Sequence, residues 1–115
     1  MTAEALSKVI VRGMEEKKAS KIQVLDLRKI KDAVTDFFVI CSGNSDTQLE
    51  AISKSIEEEV QKVGEGGAWR VEGKTNGEWV LMDYVNVVVH IFIQDKREFY
   101  GLEDLWGDAQ TTLVN

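Results

Sequence analysis

With 115 residues and 43% hydrophobic content, the chain is long enough to bury one core, too apolar to stay disordered, and is read as one domain over 1–115. A net charge of −6, one cysteine and one histidine exclude an internal disulfide and a Cys/His zinc site, and disfavour DNA, because neutralising phosphates needs a dense basic face. No apolar run approaches the roughly 20 residues of a membrane helix, and Met1–Ser20 lacks the apolar stretch of a secretory signal, so the expected location is cytoplasmic, or an organelle after removal of a transit peptide.

The charge is uneven: residues 1–31 hold eight Lys/Arg against four Asp/Glu. That basic third could meet RNA or an acidic protein patch, but a solvated helix face is the simpler account. Leu6, Val9, Ile10, Gly13, Met14 and Lys17 recur at helical spacing and predict an amphipathic helix over 3–18, with Thr2 as N-cap. The β-branched run from Ile22 to Leu27 predicts a strand. A second, Asp36 to Ser42, is apolar enough for burial on both faces. Cys41, inside FFVIC, reads as a small buried hydrophobe rather than a reactive thiol.

Ser42-Gly43-Asn44 turns the chain, and Ser45-Asp46-Thr47-Gln48 has the form of a capping box. The helix that follows buries Leu49, Ile52, Ile56, Val60 and Val63, and Gly64 ends it. Three strands come next: a brief one from Ala68 to Glu72, then Glu78–Tyr84 and Val87–Ile93, joined as a hairpin through Val85-Asn86. Asp95 with Glu98 resembles a cap opening a last helix through Phe99, Leu102 and Trp106. The order α-β-β-α-β-β-β-α makes a mixed sheet with helices packed on it.

Catalytic chemistry is hard to find. His90 sits mid-strand in VVVHIFI with no glycine elbow near any serine, so a hydrogen-bonded core histidine fits better than a catalytic base. Neither a P-loop nor a dinucleotide fingerprint occurs. The Ser42–Ser45 turn, between a strand and a helix, offers amides to an anion. Yet Asp46 is the only acid near it, where a metal-dependent nucleotidyltransferase needs paired carboxylates. No cofactor or metal is expected. The stretch from Trp79 carries another signal. Alternation puts Trp79, Leu81 and Asp83 on one strand face and Val80, Met82 and Tyr84 on the other. Either set could be core, and the other would then expose an apolar patch of the kind that marks a protein interface.

Four stretches, DFFVICSGNSDTQLEAI, EGKTNGEWVLMDY, VVVHIF and REFYGLEDLWGDA, closely resemble the Iojap family of ribosomal silencing factors (RsfS) in order and spacing. The resemblance implies an α/β fold with a mixed five-stranded sheet and flanking helices, nucleotidyltransferase-like in architecture but without catalytic carboxylates. It also implies a non-enzymatic role: binding protein fourteen of the large ribosomal subunit, blocking subunit joining, and so repressing translation when nutrients run short. Some members form homodimers when free. The implied contact surface comprises Trp79 and Leu81 as apolar anchors and Asp83 facing a cation, with Tyr84, His90, Arg97 and Tyr100 nearby. One departure stands out: the family usually has Gly-Asp where this chain has Val85-Asn86. Loss of the glycine argues against a turn needing positive φ at 85, and loss of the acid removes an ionic contact to a basic ribosomal surface. Two other readings compete: a large-subunit assembly factor using the same surface, and a nucleotide-binding transferase built on the Ser42–Ser45 turn.

Overall fold

The computed structural model describes residues 1–75 and 77–115; Asn76, within the EGKTNGEWVLMDY stretch, lies outside the described residues. Helix α1 runs Ala3–Glu16, and the Thr2 hydroxyl accepts the Ala5 N–H at 3.1 Å, as the sequence predicts. Strands β1 (Ser20–Asp26) and β2 (Phe37–Gly43) follow, then α2 (Asp46–Lys62). Next come β3 (Arg70–Glu72), β4 (Trp79–Asp83) and β5 (Val87–Ile93). Two short helices, α3 (Gln94–Tyr100) and α4 (Leu102–Leu105), lead to β6 (Gln110–Leu113).

The sheet is mixed, and it has six strands where five were expected, in the order β3-β4-β5-β2-β1-β6. Central β2 and β5 run parallel, and the other pairs are antiparallel. Every residue of β2 is buried, because helices cover one face of the sheet and α3, α4 and the 27–36 loop cover much of the other. The extra strand, β6, pairs with β1 at one edge and is exposed throughout. QTTL has no apolar face, so it gives no periodic signal. Side-chain pairing of the last residue extends it: Asn115 Oδ1 accepts the Ile22 N–H at 2.8 Å, and its amide donates to Ala19 O at 3.3 Å.

Helices α1 and α2 lie together on one face, where Ile10, Met14, Leu49, Ile52 and Ile56 meet Val80, Met82, Val89 and Ile91. Val63, predicted among the buried residues of α2, is 38% exposed, because the helix ends just before it. The capping box is half as drawn. Ser45 Oγ accepts the Gln48 N–H at 3.1 Å, but Gln48 Oε1 accepts from Asn44 N rather than from Ser45. The Gln48 amide also donates to Lys17 O and Lys18 O, so one side chain ties the start of α2 to the end of α1. The predicted last helix breaks in two at Gly101, which adopts a left-handed φ of 59°. Asp95 is not its cap: α3 starts at Gln94 with no side-chain cap.

The helices approach closely at Gly13, where an added Cβ would sit 2.8 Å from Ile56 Cα. Gly13→Ala gains about 1 kcal/mol of helix propensity but forces two backbones apart, an overpacking cost of about 1–3 kcal/mol. We expect the collision to win, with a net loss of about 1 kcal/mol in urea denaturation.

Candidate functional site

Strand alternation leaves open which face of β4 is core, and packing decides it. Val80 and Met82 are buried against the helix layer, while Trp79, Leu81 and Asp83 stay half-exposed on the opposite face. There Trp79 stacks obliquely on Phe92 and Tyr100, with ring centroids 5.0 and 4.7 Å apart. The Tyr100 hydroxyl donates to Glu78 Oε2 at 3.1 Å; that carboxylate raises the phenol's pKa.

His90 lies opposite Leu81 in the β4–β5 register and forms the floor of this face. Trp79 Nε1 donates to His90 Nδ1 at 3.0 Å, so the imidazole proton resides on Nε2. Nε2 is buried and has no hydrogen-bond partner among the described residues. Burial pushes the His90 pKa down to about 3, whereas an unfolded chain takes up this proton near about 6.5. Above that pH the residue is neutral in both states and contributes nothing to pH dependence. Below it the unfolded state gains the proton first, so stability falls by about 1.4 kcal/mol per pH unit, down to the folded value. His90→Gln keeps an acceptor for the Trp79 N–H but cannot titrate. Between pH 7 and pH 5 the parent is expected to lose about 2 kcal/mol more than this variant in urea unfolding.

The other expected contact residues separate. Tyr84 packs on the helix side of the sheet, away from Trp79, and its hydroxyl is buried without a partner among the described residues. Burial pushes its pKa up to about 12. Arg97 is 7% exposed, so it presents almost no surface. Its guanidinium forks onto Glu103 (Nε to Oε1 2.8 Å, Nη2 to Oε2 3.3 Å), and Nη1 donates to Lys21 O at 2.6 Å and Ser42 Oγ at 3.0 Å. Lys21 has a φ of 51° in the irregular stretch of β1, so Arg97 braces a kinked strand. Trp79, Leu81, Asp83 and Tyr100 thus share one face, with His90 beneath them.

Three further apolar residues border this site: Val34 and Trp69, which sequence reasoning did not single out, and Val85, which it noted only as a turn residue that departs from the family pattern. Val34, Trp69 and Val85 are 77%, 72% and 61% exposed, and line an open groove of about 530 Å³ with Leu81, Asp83 and His90. Val34 and Val85 fall in predicted connections and Trp69 at the start of the predicted brief strand, which begins only at Arg70, so no periodic pattern marks them. The hairpin through Val85-Asn86 forms as expected, but the expectation that position 85 avoids positive φ is overturned: φ there is +76° despite the β-branched side chain. Hydrogen bonds around the turn outweigh the intrinsic preference.

At the Ser42–Ser45 turn, three of the amides that could meet an anion are occupied from within the chain. Gln48 takes the Asn44 N–H, Asp46 takes the Thr47 N–H and Ser45 takes the Gln48 N–H. Ser42 Oγ accepts from Arg97, and Cys41 is buried with its pKa pushed up to about 12. Among the described residues no group of three or more His, Cys, Asp or Glu is arranged to hold a metal ion, and no helix is long and apolar enough to cross a membrane.

The family described as "Ribosomal silencing factor during starvation" matches residues 1–115. Ribosomal silencing factor RsfS of Halalkalibacterium halodurans is 40% identical over 111 residues, covering 96% of this chain and 93% of that protein. A crystal structure of a Chromobacterium violaceum protein superposes with a TM-score of 0.86 at 29% identity, covering 100% of this chain and 94% of that one. A mouse relative named mitochondrial assembly of ribosomal large subunit protein 1 is 34% identical over 74 residues, 63% of this chain and 32% of that protein. With its full length matched and its fold shared with solved relatives, the chain belongs to the ribosomal silencing factor (RsfS) family, whose members regulate translation.

Proposed function

We propose that this chain acts in the cytoplasm as a non-enzymatic translation repressor. It binds protein fourteen of the large ribosomal subunit and, from that position, sterically blocks joining of the small subunit when nutrients are limited. Family membership supplies the ribosomal context. The observation that carries the site is the half-exposed Trp79–Leu81 face, continuous with the exposed Trp69 and Val85. Exposed apolar surface of this kind gains free energy when a partner covers it, and aromatic residues dominate such interfaces. The net charge of −6 helps steer the domain toward a basic ribosomal protein and away from bare RNA.

Order of addition tests the reading. In a reconstituted translation system, protein added to separated subunits should inhibit initiation, and the same amount added after the subunits have joined should not. Equal inhibition in both orders would sink occlusion. A second reading, large-subunit assembly, has support in the name of the mouse relative. It uses the same surface and differs in outcome: depletion would leave immature large subunits, and added protein would not affect mature ones.

A further inference from the structure

The turn between β4 and β5 is held in an unfavourable conformation by several bonds at once. Val85 has a φ of +76°, a region that β-branched residues avoid. Asn86 N donates to Tyr84 O at 2.9 Å, which closes a three-residue turn centred on Val85, one of the strained turn types. Asp83 Oδ1 accepts the Val85 N–H at 2.8 Å, and the Thr35 hydroxyl donates to Val85 O at 2.9 Å. Asn86 O in turn accepts from the Asp36 and Phe37 amides, both at 3.2 Å. Strain persists only where its surroundings over-determine it, and such strained positions gather at functional surfaces.

The product of the strain is the placement of one side chain. Val85 stands 61% exposed on the groove that Leu81 and Asp83 also line. A turn of ordinary geometry would direct it elsewhere. We propose that Asp83 is a positioning residue whose carboxylate oxygen holds Val85 in this conformation, and that Val85 is the residue that touches the ribosomal partner at this end of the docking face. The inference rests on the docking reading above and assigns Asp83 an indirect role: it works as a hydrogen-bond acceptor for the turn rather than as a charge for the partner.

Three variants test this by co-sedimentation with purified large subunits and by thermal unfolding of the free protein. Asp83→Ala removes the acceptor and should weaken binding by roughly tenfold. Asp83→Asn keeps an acceptor oxygen without the charge and should recover most of that loss. Val85→Gly adopts positive φ freely, so it should raise the unfolding temperature while weakening binding several-fold. In the free parent, a strong intraresidue HN–Hα NOE at Val85 should report positive φ, and should weaken in Asp83→Ala but not in Asp83→Asn. The proposal is overturned if Asp83→Asn binds as poorly as Asp83→Ala, since charge would then be what the partner meets. It is overturned equally if Val85→Gly binds like the parent. Failure of the parent itself to co-sediment would sink the docking reading, and is seen before any variant is compared.

Discussion

Trp79→Ala is expected to lower affinity for isolated large subunits by about 2 kcal/mol or more, roughly 30-fold, the scale of an aromatic hot spot. The indole has two jobs. Its outer surface contributes to the half-exposed face, and its inner surface stacks on Phe92 and Tyr100 while Nε1 donates to His90. Truncation therefore uncovers the aromatic layer beneath and leaves His90 Nδ1 without its donor. Some of the loss will appear as reduced stability, and a companion variant separates the two effects. Trp79→Phe keeps the aromatic packing but loses the N–H donor, so it should remain better folded and bind with intermediate strength. Titration of folded protein against large subunits, with circular dichroism to measure the folded fraction, checks both. If folded Trp79→Ala binds as the parent does, the face is misassigned.

Arg97→Met is expected to cost the free domain about 2 kcal/mol, the scale for losing charge-assisted hydrogen bonds where the ion-pair partner, Glu103, is part-exposed and can be rehydrated. Methionine fills similar space, so most of the loss is electrostatic and polar. Glu103 loses a two-pronged partner, and Lys21 O and Ser42 Oγ lose their donor. The Lys21 carbonyl belongs to the positive-φ stretch of β1, so β1 should fray at its start, near the end of β2. Arg97→Lys retains the charge without the planar fork, and is expected to recover part of the loss. Urea unfolding measures it: a Met variant within about 0.5 kcal/mol of the parent would show that Arg97 is not a brace. Because Arg97 presents almost no surface, affinity measured per folded molecule should fall far less than in Trp79→Ala.

These two residues illustrate how differently the site could be read. Trp79 was legible because period-two alternation is a local property: whichever face of β4 is buried, Trp79, Leu81 and Asp83 travel together. Arg97 was expected near the contact surface because the family resemblance implies it. Only the approach of β1, 76 residues earlier in the chain, gives it a backbone carbonyl to bind. Tyr84 is a different case. The resemblance grouped it with the contact residues, although alternation already places it with Val80 and Met82, and it packs partly buried on the helix side.

Local patterns alone determined the helices Ala3–Glu16 and Asp46–Lys62, the buried strands FFVIC and VVVHIFI, and the Thr2 and Ser45 caps, because each depends on neighbours within one or two turns. The family resemblance was likewise a matter of linear order. Tertiary structure alone decided which face of β4 is covered, since that depends on where α1 and α2 dock. It alone added β6, whose four polar residues form a strand because β1 offers an unpaired edge. And it alone set Val85 at positive φ, where the Val85 N–H donating to Asp83, the Thr35 hydroxyl donating to Val85 O and the Asn86 N–H donating to Tyr84 O act together to overcome what the residue type prefers by itself.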